Sequence, residues 1–324
     1  MKALVFLEQR GEEVTRGSLA VLTKAAALQG ATDGDGGIGA VLAGRRPLAA
    51  LAELAGRYGA GTVHVAEHDS LDPALARARV GIVADLVRAH GYDTVMFSTS
   101  VLASDVAAGL AARLGAGLNW DLVDLTEEAG ALVGRRTALQ ESVLVEVGWR
   151  SPVRLALFRP GVFEAQEIGG TPTVEAVAVA PAEEGVHVVR QQVREEEGRS
   201  IEDADVIVAG GIGLGGAEQF AMAEELASLL GGAVAATRAV VYKGWYPRAA
   251  QVGQTGKTVA PNLYVALGVS GAVQHKVGMQ NSKVIISINK NPTAPIFEVS
   301  DLAVVGDVHV VVPQLIELLR ARKG

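Results

Sequence analysis

Short apolar runs alternate with helix-length amphipathic stretches from the start of the chain. KALVFLE precedes SLAVLTKAAALQG, IGAVLAG precedes RRPLAALAELAGRYG, TVHVAEH precedes PALARARVGIVADLVRAHG, and DTVMFSTS precedes SDVAAGLAARLG. The apolar runs have the length of strands buried on both faces, and the intervening stretches carry helix-end signals. Ser18 and Ser104 read as N-caps, and Gly30, Gly59, Gly91 and Gly115 stand where left-handed C′ residues belong. Strand–helix alternation of this kind predicts βαβ units and a parallel sheet. From about Asp121 to Arg190 β-branched runs take over (SVLVEVGW, VRLALFRP, TVEAVAVA, VHVVRQQV), read as extra strands completing the first domain.

The segment Val193 to Asp205, VREEEGRSIEDAD, is charged and poor in large apolar side chains, as an interdomain connection would be. The expected division is residues 1–192, an N-terminal parallel-sheet α/β domain with additional strands, and 193–324, a C-terminal doubly wound, Rossmann-like domain. In the second part ADVIVAGG, GAVAATR, NLYVALG, SKVIISIN and LAVVGDVHVVV read as strands, with PQLIELLRARKG as a closing helix. Those strands end at Gly210–Gly213, Thr237–Arg238, Gly268–Gly271, Ile288–Asn289 and Gly306–Asp307. In an open parallel sheet ligands bind outside the carboxyl ends of the strands. Glycine, hydroxyl, amide, guanidinium and carboxylate groups are therefore expected on one rim, and a nucleotide-type ligand with them.

Composition narrows the chemistry. Of 324 residues 49% are hydrophobic and 20% charged, the balance of a globular α/β protein, and the net charge of −7 disfavours a nucleic-acid partner. No apolar run reaches the roughly 18 residues of a membrane span, and MKALVFLEQRGEE is unlike a signal peptide. A cytoplasmic protein without membrane insertion is expected. Cysteine is absent, which removes disulfides, thiolate metal sites and a cysteine nucleophile. Redox chemistry would then need a bound organic cofactor. His64, His68, His90, His187 and His309 show no metal-ligand spacing, and Ser18, Ser98 and Ser142 have no nucleophile-elbow context.

The octapeptide QVGQTGKT, residues 251–258, ends like a phosphate-binding loop. The glycine required five positions before the last glycine is Gln251, and Thr258 is followed by Val259, Ala260 and Pro261 in place of a helix. A triphosphate loop is excluded on both grounds. The turns GGIGLGG and GVSGA each read as feeding a helix start, which would offer N–H groups to a pyrophosphate. The acidic residue of a dinucleotide fingerprint has no counterpart about twenty residues on, so an ordinary NAD site is disfavoured.

The segment Ala235–Asp307 contains, in order, QVGQTGK, a Pro-x-Leu-Tyr strand, GVSGAVQH, INK and APIF. It closely resembles the FAD-binding domain of the alpha subunit of electron-transfer flavoprotein. The N-terminal βαβ series resembles that subunit's first domain less specifically. The resemblance implies FAD contacts from Thr237 and Arg238, with the guanidinium against the isoalloxazine favouring its anionic, reduced form. It further implies a flavin loop of Val252, Gly253, Gln254 and Thr255, with the Thr255 hydroxyl near N5. Ser270, Gly271, Ala272, Val273 and Gln274 would hold the ribityl and diphosphate parts, and His275 would hydrogen-bond the pyrimidine edge. Asn289 and Asp307 would face the adenosine half. Two positions depart from the family pattern: Ile212 stands where many relatives have arginine, and Tyr242 where they often have aspartate.

What the resemblance implies for function is an electron carrier with no metabolic substrate, no catalytic residue and no metal of its own. It would pair with a beta subunit holding AMP or a second nucleotide. Donors would be flavin dehydrogenases, such as the acyl-CoA dehydrogenases of fatty acid β-oxidation, and the acceptor a membrane quinone oxidoreductase. The alternatives are an alpha subunit of an electron-bifurcating flavoprotein and a pyridine-nucleotide-dependent dehydrogenase.

Overall fold

A computed structural model describes residues 1–30, 37–45, 47–71, 75–139, 143–179, 201–202 and 204–323. The VHVVRQQV run, Ser142, His187 and most of the charged 193–205 segment lie outside them. The chain divides into two compact units, Met1–Gln192 and Val193–Gly324. Among the described residues no helix is long and apolar enough to cross a membrane.

The first unit is built on a nine-stranded sheet. Its spatial order is Thr173–Ala176, Thr62–Glu67, Gly39–Gly44, Ala3–Leu7, Thr94–Ser98, Arg154–Phe158, Gly117–Glu128, Ala131–Ala138 and Val143–Val147. Pairing is parallel through Gly117–Glu128 and antiparallel beyond. The period of two divides each central strand between two cores. Ala3, Val5 and Leu7 pack with Leu22, Leu42 and Phe158, while Leu4 and Phe6 pack with Val83, Phe97 and Leu110. This is why such strands read as continuous apolar runs. The long hairpin Gly117–Ala138 falls mostly within the stretch from about Asp121 read as extra strands, but its two strands were not singled out because Asp121, Asp124, Glu127, Glu128, Arg135 and Arg136 break up its apolar alternation.

Helix starts differ from expectation by a few residues. The helix Val101–Leu114 is capped by Ser100, whose Oγ accepts from the Ala103 N–H at 2.9 Å, while the Ser104 hydroxyl turns back to the Ser100 carbonyl at 2.6 Å. Ser18 lies inside the helix Arg16–Gly30 and accepts from the Glu8 N–H. Gly91 and Gly115 do adopt left-handed conformations, at φ 67° and 60°. Replacing Ser100 by alanine should cost about 1 kcal/mol. Ser104→Ala should cost clearly less, and a chemical-denaturation comparison of the two variants checks the assignment.

In the second unit six parallel strands run in the order Gln251–Val252, Ala233–Thr237, Val206–Gly210, Leu263–Leu267, Ile285–Asn289 and Leu302–Val305. Numbered along the chain this is 3-2-1-4-5-6, the doubly wound order, whose direction reverses between Val206–Gly210 and Leu263–Leu267. One expectation is corrected at the carboxyl end. LAVVGDVHVVV is a strand only as far as Val305, and the last helix starts at Val308, with Pro313 inside it. The Asp307 carboxylate accepts from the His309 N–H at 2.9 Å and caps this helix. Val308, Val312 and Ile316 are buried at helical spacing, so three-and-four periodicity outweighs β-branching.

Candidate functional site

Reversal of strand order opens a crevice above the carboxyl ends of the two innermost strands, and there the second unit holds a cleft of about 780 Å³. That is within the usual range for small-molecule and cofactor sites. Its floor is two glycine-containing turns pressed together. The Gly211 N–H donates to the Leu267 carbonyl at 2.9 Å, and the Gly213 N–H to the Gly268 carbonyl at 3.0 Å. Only the second turn feeds a helix directly, and that helix is short. The first leads into a single 3₁₀ turn, Ile212–Leu214, and its helix begins only at Phe220; the second leads into a helix of four residues, Val273–Lys276. Neither glycine turn runs directly into an extended helix, the one long helix that starts at the cleft being that of Val308, and backbone approach is what the glycines supply.

Most of the expected residues converge here. Thr237, Arg238, Val252, Gly253, Gln254, Thr255, Ser270, Ala272, Gln274, His275 and Asn289 line the cleft. Gly271, Val273 and Asp307 do not. Gly271, at φ +85°, makes the turn beside the cleft, and a Cβ on it would stand 2.1 Å from the Ile296 nitrogen. Val273 is exposed. Asp307 is occupied with its helix cap and an ion pair to Lys290 at 2.9 Å, and the His309 N–H, then Lys290, hold its carboxyl below the usual carboxylate range. The sequence reading missed Gln251, Lys290, Asn291, Ala294, Pro295 and Val308, which also line the cleft. A signal existed for some of them, since Lys290 and Asn291 directly follow a strand end.

Arg238 opens the helix Arg238–Tyr242 and is exposed. Its guanidinium lies 4.8 Å from the centre of the Tyr242 ring, and Nη2 donates to the Tyr242 hydroxyl at 3.2 Å. The two departures, Ile212 and Tyr242, both line the cleft, and Tyr242 steers the permanent cation there. Residues 251–257 form a tight turn: the Lys257 N–H donates to the Gln251 carbonyl at 2.7 Å, and the Gly256 N–H to Gly253 at 2.9 Å. The buried Gln251 amide donates to the Thr255 hydroxyl at 3.2 Å. The Lys257 ammonium lies 3.7 Å from Glu202 and is absent from the lining, in keeping with the exclusion of a triphosphate loop.

His275 is buried, and burial depresses its pKa to about 4, so it is neutral at physiological pH. Nδ1 lies 3.1 Å from the Val252 carbonyl, which can only accept, so Nδ1 carries the proton. The Tyr264 hydroxyl, 3.0 Å from Nε2, then donates to that nitrogen. Tyr264 is wholly buried, which pushes its own pKa up and keeps it protonated. Both imidazole nitrogens are thus used within the protein. The expectation of a histidine donating from the cleft wall meets a ring that instead fastens the Val252 turn to the core. Asn289 has a similar part, its Nδ2 donating to the Val269 carbonyl at 2.7 Å while its Oδ1 accepts from the Asn291 N–H at 2.9 Å.

Comparison with known proteins places these features in a family. Residues 3–184 match the model described as the electron transfer flavoprotein domain, and residues 200–280 the model described as the electron transfer flavoprotein FAD-binding domain. The chain is 41% identical over 268 residues to an electron transfer flavoprotein subunit alpha of Mycobacterium leprae, covering 82% of this chain and 83% of the relative. It is 36% identical over 326 residues to the subunit of that name from Clostridium acetobutylicum, covering 98% and 96%. Against that of Bacillus subtilis it is 36% identical over 310 residues, 94% of each chain.

Proposed function

Because the chain belongs to the electron-transfer flavoprotein family, as an alpha subunit, we propose that it is a redox carrier holding FAD in the cleft of its second unit. The observation that carries this reading is the position of the cleft. It opens at the switch point of a doubly wound sheet, and the segment matching the FAD-binding domain supplies most of its lining. The donor set fits a flavin dinucleotide. Val252, Val269, Ala272, Ala294 and Pro295 offer apolar surface, Ser270, Thr255, Gln274 and Asn291 offer hydrogen bonds, and Arg238 offers a fixed positive charge.

FAD supplies the chemistry when bound, taking up and releasing electrons one at a time. The work of the chain is electrostatic and positional. Arg238, held by Tyr242, favours added negative charge on a ligand in the cleft. Gln251 orients the Thr255 hydroxyl, and His275 fixes the Val252 turn from behind. His275 is the histidine that lines the cleft, and with both nitrogens engaged it is not poised as a proton donor, which supports a carrier over a dehydrogenase. Within this reading the chain pairs with a beta subunit holding AMP or a second nucleotide, accepts electrons from flavin dehydrogenases such as acyl-CoA dehydrogenases, and passes them to a membrane quinone oxidoreductase.

Co-expression with the beta subunit should give a yellow complex with the absorption bands of one protein-bound FAD. A colourless complex that binds reduced pyridine nucleotide in its place overturns the reading. Arg238→Ala should lower the midpoint potential of the bound flavin by tens of millivolts, on the order of 50 mV, equivalent to about a tenfold loss of preference for the reduced form. Spectroelectrochemical titration checks it, and an unchanged potential removes the role assigned to the guanidinium.

A further inference from the structure

We propose that His64, His90 and Glu175, in the first unit, form a binding site for a divalent transition metal, with zinc the ion their chemistry suits, that ties an edge strand to the sheet. The three residues are remote in sequence and come together through the fold. His64 lies on the strand Thr62–Glu67, Glu175 directly opposite it on the edge strand Thr173–Ala176, and His90 ends the helix Arg77–His90. One donor atom from each lies within 4.8 Å of the others. Two imidazoles and a carboxylate are a recurrent zinc set, with metal–ligand distances of about 2.0–2.2 Å and a fourth position for water. Glu175 and His90 are half-exposed, which gives an ion a way in and the side chains room to close on it.

A second observation points the same way. His64 is 1% exposed, and its Nε2 lies 2.8 Å from the Tyr92 hydroxyl. Its Nδ1 lies 3.1 Å from Glu175 Oε2 without the alignment of a hydrogen bond, and remains a buried nitrogen with no hydrogen-bond partner. Buried polar atoms left in that condition are rare and call for an occupant. With Nε2–H donating to Tyr92, Nδ1 presents a lone pair beside a carboxylate oxygen, an arrangement that a shared cation relieves. A metal-bound histidine anchored through its other nitrogen is the usual outer-sphere pattern. Lys2 opposes the ion: its ammonium donates to the His90 carbonyl at 2.6 Å and sits 5.4 Å from the Tyr92 ring.

The test is zinc titration of the full chain in its purified complex, after chelator treatment, in competition with a chromophoric chelator. Wild type should take up one zinc per chain that Glu175→Gln and His90→Gln each weaken at least about tenfold, and Lys2→Gln should tighten it several-fold. Glu175 and His90 are half-exposed, so these variants should fold even where one at His64 does not. Equal zinc affinity in wild type and the Glu175 and His90 variants, or no uptake by wild type at micromolar free zinc, overturns the proposal.

Discussion

Alanine at position 268 should cost the second unit about 2–4 kcal/mol and empty its cleft of cofactor. Gly268 has φ +61°, where a side chain is strained by about 1 kcal/mol. The larger part is steric. A Cβ there would stand 2.7 Å from both the Cα and the carbonyl carbon of Gly213 and 3.0 Å from the Leu214 nitrogen. Those neighbours are backbone and cannot rotate away, so the two turns at the switch point must separate, at a cost typical of overpacking, about 1–3 kcal/mol. Separation would also lengthen the Gly213–Gly268 hydrogen bond that makes the cleft floor. Gly231 is the internal comparison. It has φ +68° at the end of the helix Phe220–Leu230, and a Cβ there meets nothing within 4 Å. Gly231→Ala should therefore show the backbone cost alone and keep its FAD. Denaturation midpoints together with flavin-to-protein absorbance ratios separate the two variants. Equal losses, with flavin retained in both, would show that close approach of the two turns is not what Gly268 provides.

How far the sequence predicts this arrangement follows from where each constraint lies. Strands such as Val206–Gly210 and Leu263–Leu267 are buried on both faces, and a continuous apolar run ending in glycine carries that information locally. Spatial order does not lie in any one segment, so the crevice between these two strands could be expected only by knowing that parallel sheets bind at their carboxyl ends. Local readings failed where two rules competed. At Val308–Val312 a β-branched run is helical because Asp307 caps it and every fourth side chain meets the core. In Gly117–Glu128 charges on an antiparallel ribbon concealed a strand. Closeness to a motif did not suffice: Thr255 and Pro295 each lie inside one, yet Pro295 is brought to the cleft by the packing of Gly271 against Ile296, and Val308 by the helix start that Asp307 caps. The hydrogen bonds of His275 were invisible, since Tyr264 and Val252 reach it from separate strands. The cluster of His64, His90 and Glu175 was invisible for the same reason.

Those buried bonds of His275 make the second unit acid-sensitive. Burial lowers its pKa from 6.5 to about 4, so the folded protein resists a proton that the unfolded chain accepts. Above pH 6.5 both states are neutral at this residue and stability is unaffected. As pH falls from 6.5 towards 4 the unfolded chain alone gains the proton, and stability drops by about 1.4 kcal/mol per pH unit. The loss approaches about 3 kcal/mol before the folded state protonates as well. The added proton must go to Nε2, since Nδ1 already carries one toward Val252, and it confronts the Tyr264 hydroxyl that donates to that nitrogen. The Tyr264 hydroxyl has to rotate to accept there, and the cost of a buried charge favours an opening that carries His275 out of the core and so unfastens the Val252 turn. Opening should therefore begin at residues 251–257, next to the cleft, and cofactor should be released before the rest of the unit unfolds. Hydrogen exchange at pH 7.5, 6.5, 5.5 and 4.5 should show protection of this segment declining below pH 6.5 with a one-proton slope, alongside rising free-flavin fluorescence. His275→Gln should be less stable at pH 7.5 and should flatten the slope. A slope that survives in the variant assigns the acid sensitivity to another group.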